Sequence, residues 1–150
     1  MESLSLYMVR TITELEKVLI QKSKTPDRTR HFLDKAVKLG QENKYAESIV
    51  CLDRVIRINP NIPIAWHFKG CALNVLGQFQ EAIICLEKTI ELYPNWCETW
   101  NQKGIACANL QKHSEAIKCF DEAIRLDKDN QIVYAENKAR AIKEQEENNV

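Results

Sequence analysis

Between Ile64 and Leu76 the apolar residues Trp66, Leu73 and Leu76 fall at helical spacing, and the run breaks at Gly77. From Glu81 to Leu92 a second stripe follows, with Ala82, Ile83, Leu86 and Ile90 on one side and Glu87, Lys88 and Glu91 on the other. Pro94 ends it, because proline lacks the amide hydrogen and disfavours helix in the residue before it. A connection of about three or four residues forces two such helices antiparallel. The pattern predicts a helical hairpin.

That hairpin recurs at an offset of 34 residues: Trp66 and Trp100, Gly70 and Gly104, Ala82 and Ala116, Leu86 and Phe120, Pro60 and Pro94, and the cysteines 51, 85 and 119. One period earlier stand Phe32 and Ala36, and one period after Trp100 stands Tyr134. Tyr45, Phe79 and His113 also keep register, each followed two residues later by a glutamate. Three units at about 29–62, 63–96 and 97–130 result, with Thr25 and Pro26 placed to cap and open the first. A glycine inside a helix costs about 1 kcal/mol against alanine. Its repetition at one phase points to close approach of the partner helix. Each unit then buries its face against the next, the logic of a solenoid.

The ends differ from the units. Residues Gln131 to Lys143 read as one more first helix, with Tyr134, Ala135, Ala139 and Ile142 covering the third hairpin and Lys138 at the glycine position. The polar residues 144–149 read as frayed. At the other end Leu4, Met8, Ile12, Leu15 and Leu19 form a continuous apolar stripe, with Tyr7 and Val18 alongside. Residues 1–24 are thus expected to form an amphipathic helix. It would fold over the first unit, pair with a second copy, or occupy a groove as an internal ligand. The basic cluster Lys22, Lys24, Arg28 and Arg30 reads as a solvated linker.

These residues resemble a family. Trp66-x-x-Lys69-Gly70-x-x-Leu73, then Ala82-x-x-x-Leu86-x-x-Thr89 and Pro94, is similar to a tetratricopeptide repeat. Trp100-x-x-Lys103-Gly104-x-x-Cys107 with Ala116-x-x-x-Phe120-x-x-Ala123 is a second copy, and Phe32, Ala36, Leu39, Ser48, Leu52, Val55 and Pro60 make a weaker first one. Lysine replaces the usual leucine at Lys35, Lys69 and Lys103, and Lys128 stands where a last proline belongs. The expected architecture is all-α, a right-handed superhelix of three hairpins at 25–62, 63–96 and 97–130, with a capping helix and tail over 131–150.

Composition narrows the function. The 150-residue chain carries 21 basic and 21 acidic residues, a formal charge of zero. That balance opposes a nucleic-acid surface, and no apolar run approaches the ~18 residues of a membrane span. The first residues lack the basic and apolar regions of a secretory signal, so a cytoplasmic address is expected. Six cysteines include no Cys-x-x-Cys. Cys51, Cys85 and Cys119 would lie on equivalent helices at least ~8–10 Å apart, too far for a disulfide or a shared zinc. They read as apolar filler. No phosphate loop, zinc-protease motif or nucleophile elbow occurs, so neither an enzyme, a cofactor nor a metal site is expected.

What remains is shape. The first helix of each unit lines the concave side of such a stack. Stepping by three and four along the face away from the Trp/Gly stripe selects Arg30, Leu33, Val37 and Gly40. The same steps give Ile64, His67, Cys71 and Asn74 in the second unit, with Val75 beside them. In the third they give Glu98, Asn101, Ile105 and Ala108, with Asn109 beside them, and in the cap Ile132, Ala135 and Ala139. Apolar Leu33, Val37, Ile64 and Ile105 would supply contact area, and the asparagines would hold backbone amides of an extended or helical peptide. The resemblance also implies one exclusion. Repeat domains that hold chaperone C-terminal carboxylates use a Lys/Asn/Arg clamp, whereas the corresponding places carry Leu33, Val37, Phe68, Glu98 and Gln102. Lys35, Lys69 and Lys103 would form a cationic stripe for acidic peptides or simply extend their heads into water. The expected role is a protein-interaction adaptor with a concave peptide groove; the alternative is a self-assembly module acting through its N-terminal helix or groove.

Overall fold

The computed structural model describes residues 27–127 and 131–148. The expected N-terminal helix over 1–24 and the start signal Thr25-Pro26 lie outside the described residues. Seven helices follow: α1 Asp27–Gln41, α2 Tyr45–Ile58, α3 Pro63–Val75, α4 Phe79–Leu92, α5 Cys97–Asn109, α6 His113–Leu126 and α7 Gln131–Asn148. No strand occurs among the described residues. Every helix packs on its chain neighbours, and the first helices also touch along the stack, α3 on α5 and α5 on α7. The result is the all-α solenoid of helical hairpins.

The hairpin turns repeat in detail. Asn43, Gly77 and Gln111, one per turn, hold φ of 59°, 75° and 59°. This left-handed residue lets the next amide reach back to the end of the first helix, Lys44 N–H to Leu39 O, Gln78 N–H to Leu73 O and Lys112 N–H to Cys107 O, at 2.8–2.9 Å. Only Gly77 adopts it without steric cost. None of the residues preceding α2 to α6 caps its helix through a side chain. Packing, not capping, therefore holds these short helices.

The small residue of each first helix marks where the hairpin closes. A Cβ built on Gly70 would lie 2.7 Å from Leu86 Cγ, and one on Gly104 would lie 2.5 Å from the Phe120 ring. In the first hairpin the close pair is Ala36 and Ser48, whose hydroxyl donates to the Ala36 carbonyl at 2.7 Å. The tryptophans tie hairpin to hairpin. Trp66 and Trp100 donate their indole N–H to the carbonyls of Pro60 and Pro94 at 2.7 and 2.8 Å. Each clamps the loop by which the chain enters its own unit.

At the C-terminal end two expectations change. The helix runs on through Asn148 instead of fraying after Lys143, because Gln145 donates to Ser114 Oγ at 2.8 Å and Asn148 meets the His113 ring at 3.2 Å. Of the four residues expected to cover the third hairpin only Tyr134 is buried; Ala135, Ala139 and Ile142 face outward, and Ala141 packs in their place. Lys138 does not merely project into open space, since its ammonium reaches Asp121 of α6 at 2.6 Å.

Gly104→Ala is expected to lower stability by about 1–3 kcal/mol through overpacking against Phe120, overriding the ~1 kcal/mol gained in helix propensity. In a Phe120→Ala background the same change should cost nothing. Urea unfolding of the four proteins checks both.

Candidate functional site

The concave wall is built from α1, α3, α5 and α7, and the solenoid uses many of its polar groups to brace these helices together. His67 Nδ1 meets Thr99 Oγ1 at 3.0 Å. The Asn74 amide donates to both the backbone and side-chain oxygens of Gln102, at 3.0 and 3.2 Å. Asn137 donates to Asn101 Oδ1 at 3.0 Å. Tyr134 donates to Glu98 Oε1 at 3.1 Å, with Asp127 Oδ2 at 3.4 Å. Asn109 bonds the carbonyl of Ile105 on its own helix. The asparagines expected to hold a peptide backbone are therefore engaged within the fold.

The sequence-selected wall residues divide by exposure. Leu33, Ile64, His67 and Cys71 are buried, at 6%, 3%, 0% and 0% exposure, so they leave the set of residues that can touch an outside ligand. Their side chains pack instead: Leu33 and Ile64 share a cluster with Phe68 and Trp96, and His67 stacks on Trp96 with ring centroids 4.0 Å apart. Asn101 is also buried; Val37, Asn74, Glu98 and Ile105 are half-buried; Arg30, Asn109 and Ala135 are exposed. The open part of the wall lies on α5 and α7, where Ile132 is 73% exposed.

Of the expected lysine stripe, Lys35 stands exposed on α1, and the other two members are spent on the solenoid. Lys69 pairs with Asp53 at 2.5 Å and Lys103 with Glu87 at 2.8 Å, each reaching back to the second helix of the preceding hairpin. Lys138 repeats the device toward Asp121. Periodicity placed these lysines at one phase; the acids opposite them on α2, α4 and α6 were legible only as surface charge.

Titration follows burial. Complete burial drives the His67 pKa down to about 3, so the ring is neutral. Burial, with the field of Glu98, raises the Cys71 thiol. Cys97 Sγ, Glu98 and Asp127 bring their donor atoms within 4.8 Å of one another. Burial and a hydrogen bond to Glu98 push the Cys97 thiol up to about 12, and burial raises Tyr134 as well. The Cys97 thiol and the Tyr134 hydroxyl keep their protons, and Tyr134 pins α7 to α5 through Glu98. A second thiol contact escaped the sequence reading, which compared cysteines only across units. Within the third hairpin the buried thiols of Cys107 and Cys119 interact, an influence that lowers Cys107 and raises Cys119. The signal was present, because Cys107 occupies the place of Leu73, opposite the Cys85 position.

Comparison with known proteins agrees with this geometry. Family models described as tetratricopeptide repeat match residues 64–95 and 97–130, the second and third hairpins. Two consecutive hairpins of the chain thus match the tetratricopeptide repeat family. No curated protein matches it. Among solved structures, the first such domain of Spaghetti (RPAP3), bound to the HSP90 peptide SRMEEVD, is 20% identical, with a TM-score of 0.76 over 79% of this chain and 94% of that one. The Sgt2 domain from Aspergillus fumigatus is 16% identical, with a TM-score of 0.76 over 83% of each chain. The TPR2B domain of yeast Sti1, in its pHsp70 complex, is 18% identical, with a TM-score of 0.71 over 82% of this chain and 99% of that one. At these identities the likeness establishes the fold.

Because His67 ordinarily titrates near 6.5 and is held near 3 here, the unfolded chain binds the extra proton between those values. Its contribution is complete above about pH 6.5 and is lost as pH falls toward 3, with a slope approaching 1.4 kcal/mol per pH unit. The urea-unfolding free energy of His67→Gln should fall less steeply than wild type between about pH 6 and pH 4. Equal slopes would show that the ring is not the group responsible.

Proposed function

We infer that the chain is a protein-interaction module that binds a peptide segment of low net charge on the concave face of α5 and α7. The observation that carries this reading is the exposed, largely neutral surface of Asn109, Ile132, Ala135 and Ala139, with half-buried Ile105 and Ala108 beside it and Ile142, 37% exposed, at its edge. Apolar side chains left in water on a shaped wall favour a partner that removes them from it. The structural neighbours support a peptide as that partner, since two are complexes with an HSP90 peptide or pHsp70. The partner's chemistry would differ from an acidic C-terminal tail. Lys69, Lys103 and Lys138 are paired with acids on neighbouring helices, and Glu98 stands on the wall itself.

Peptides selected by display against the full chain provide the test. Ile105→Glu and Ala139→Glu should each weaken the selected peptides at least tenfold, whereas Ile84→Glu on the outer face of α4 should not. Undiminished binding by both wall variants would overturn the reading. A light-scattering mass above 17.4 kDa, reversed by the same wall variants, would favour self-assembly instead.

A further inference from the structure

The concave wall is closed at one end of the stack and open at the other. Both α3 and α5 have a first helix on each side, so their equivalent residues should be equally covered. They are not. Ile64 and Cys71 of α3 are 3% and 0% exposed, whereas their equivalents on α5, Glu98 and Ile105, are only half-buried; His67 and its equivalent Asn101 are both buried, at 0% and 8%. The terminal helices differ in the same sense. On α7 Ile132 is 73% exposed and Ala135 and Ala139 are exposed; on α1 their equivalents are exposed Arg30, Leu33 at 6% and half-buried Val37, with Thr29 only 1% exposed beside them. An end helix with a single neighbouring first helix should not be that closed. The closed end is the one that residues 1–26 precede in the chain.

The sequence of that segment fits the covered wall. Leu4, Met8, Ile12, Leu15 and Leu19 form one uncharged stripe, and the wall it would meet is largely uncharged, Leu33, Val37, Ile64, neutral His67 and Cys71, with Arg30 beside them on α1. A helix over residues 4–19 would be about 24 Å long, enough to cross two first helices spaced ~8–10 Å apart. Residues 20–26 would span up to about 23 Å when extended, ample to turn the chain back across α1. We propose that the concave wall of the first two hairpins is the docking site of the chain's own residues 4–19, an internal ligand that leaves only the α5–α7 half for an outside peptide. This rests on the reading of the wall as a peptide-binding surface and divides that surface between two occupants.

Full-length protein tests it by mapping thiol alkylation with iodoacetamide, residue by residue, by mass spectrometry. Cys71, on the covered wall, should be protected in wild type. In Ile12→Glu/Leu15→Glu its alkylation rate should rise at least tenfold while Cys85 on α4 stays unchanged, and a synthetic peptide of residues 1–24 should restore protection. Leu4→Glu/Met8→Glu, altering the other end of the stripe, should act in the same direction. Unchanged protection of Cys71 in both variants would overturn the proposal, since the hairpins would then close the wall themselves. Protection that follows concentration together with a doubling of the 17.4 kDa mass would also overturn it, placing the segment on a second copy. Neither result depends on whether Ile105→Glu disrupts peptide binding, so the two readings fail separately.

Discussion

The architecture depends on one contact, the crossing of each first helix over its partner at a position that admits no large side chain. At Gly70 the occupying group is Leu86, and at Gly104 it is the Phe120 ring, each so close that a methyl group would collide. In the first hairpin Ala36 takes the same place beneath Leu52, with Ser48 bonded to its carbonyl. Close approach fixes the angle within a hairpin. The angle in turn decides which face of the first helix is left to meet the next unit and which becomes the concave wall. The cost of a mid-helix glycine is met by burial of the larger residue that fills the notch.

Stacking the hairpins draws on polar groups that a reader of the sequence would assign to ligand binding. Lysines at one phase pair with acids one helix back, and amides on the wall bond across it. Buried donors and acceptors must be satisfied, and the nearest partners in a repeat array are the neighbouring repeats. What is left on the wall after this internal demand is apolar and weakly polar, and most exposed on α5 and α7. The same demand explains why Glu98 sits half-buried on the wall, since the Tyr134 hydroxyl holds it there.

Much of the fold was legible in the residues. The offset of 34, the small residue at one phase, the turn glycine and the terminating prolines together specify hairpins and their order, because helix period, backbone freedom and proline chemistry are local properties. The helix positions followed within a few residues, and the tyrosine at the tryptophan phase correctly marked α7 as one more first helix. The wall was legible only as a face. Stepping by three and four named the right side of each helix, but it could not tell Cys71, fully enclosed, from its repeat equivalent Ala139, fully open.

That difference belongs to tertiary structure. Exposure of a residue on a solenoid depends on what lies across from it, and the neighbours come from units 34 residues away. Likewise the continuation of α7 to Asn148 is decided by Ser114 and His113, more than thirty residues earlier. The sequence by itself determined the repeating unit and the order of its helices, which follow from local periodicity and sterics. Only the packed molecule decided which wall residues are spent on holding the stack and which remain to meet a partner, because that allocation is made by contacts between units.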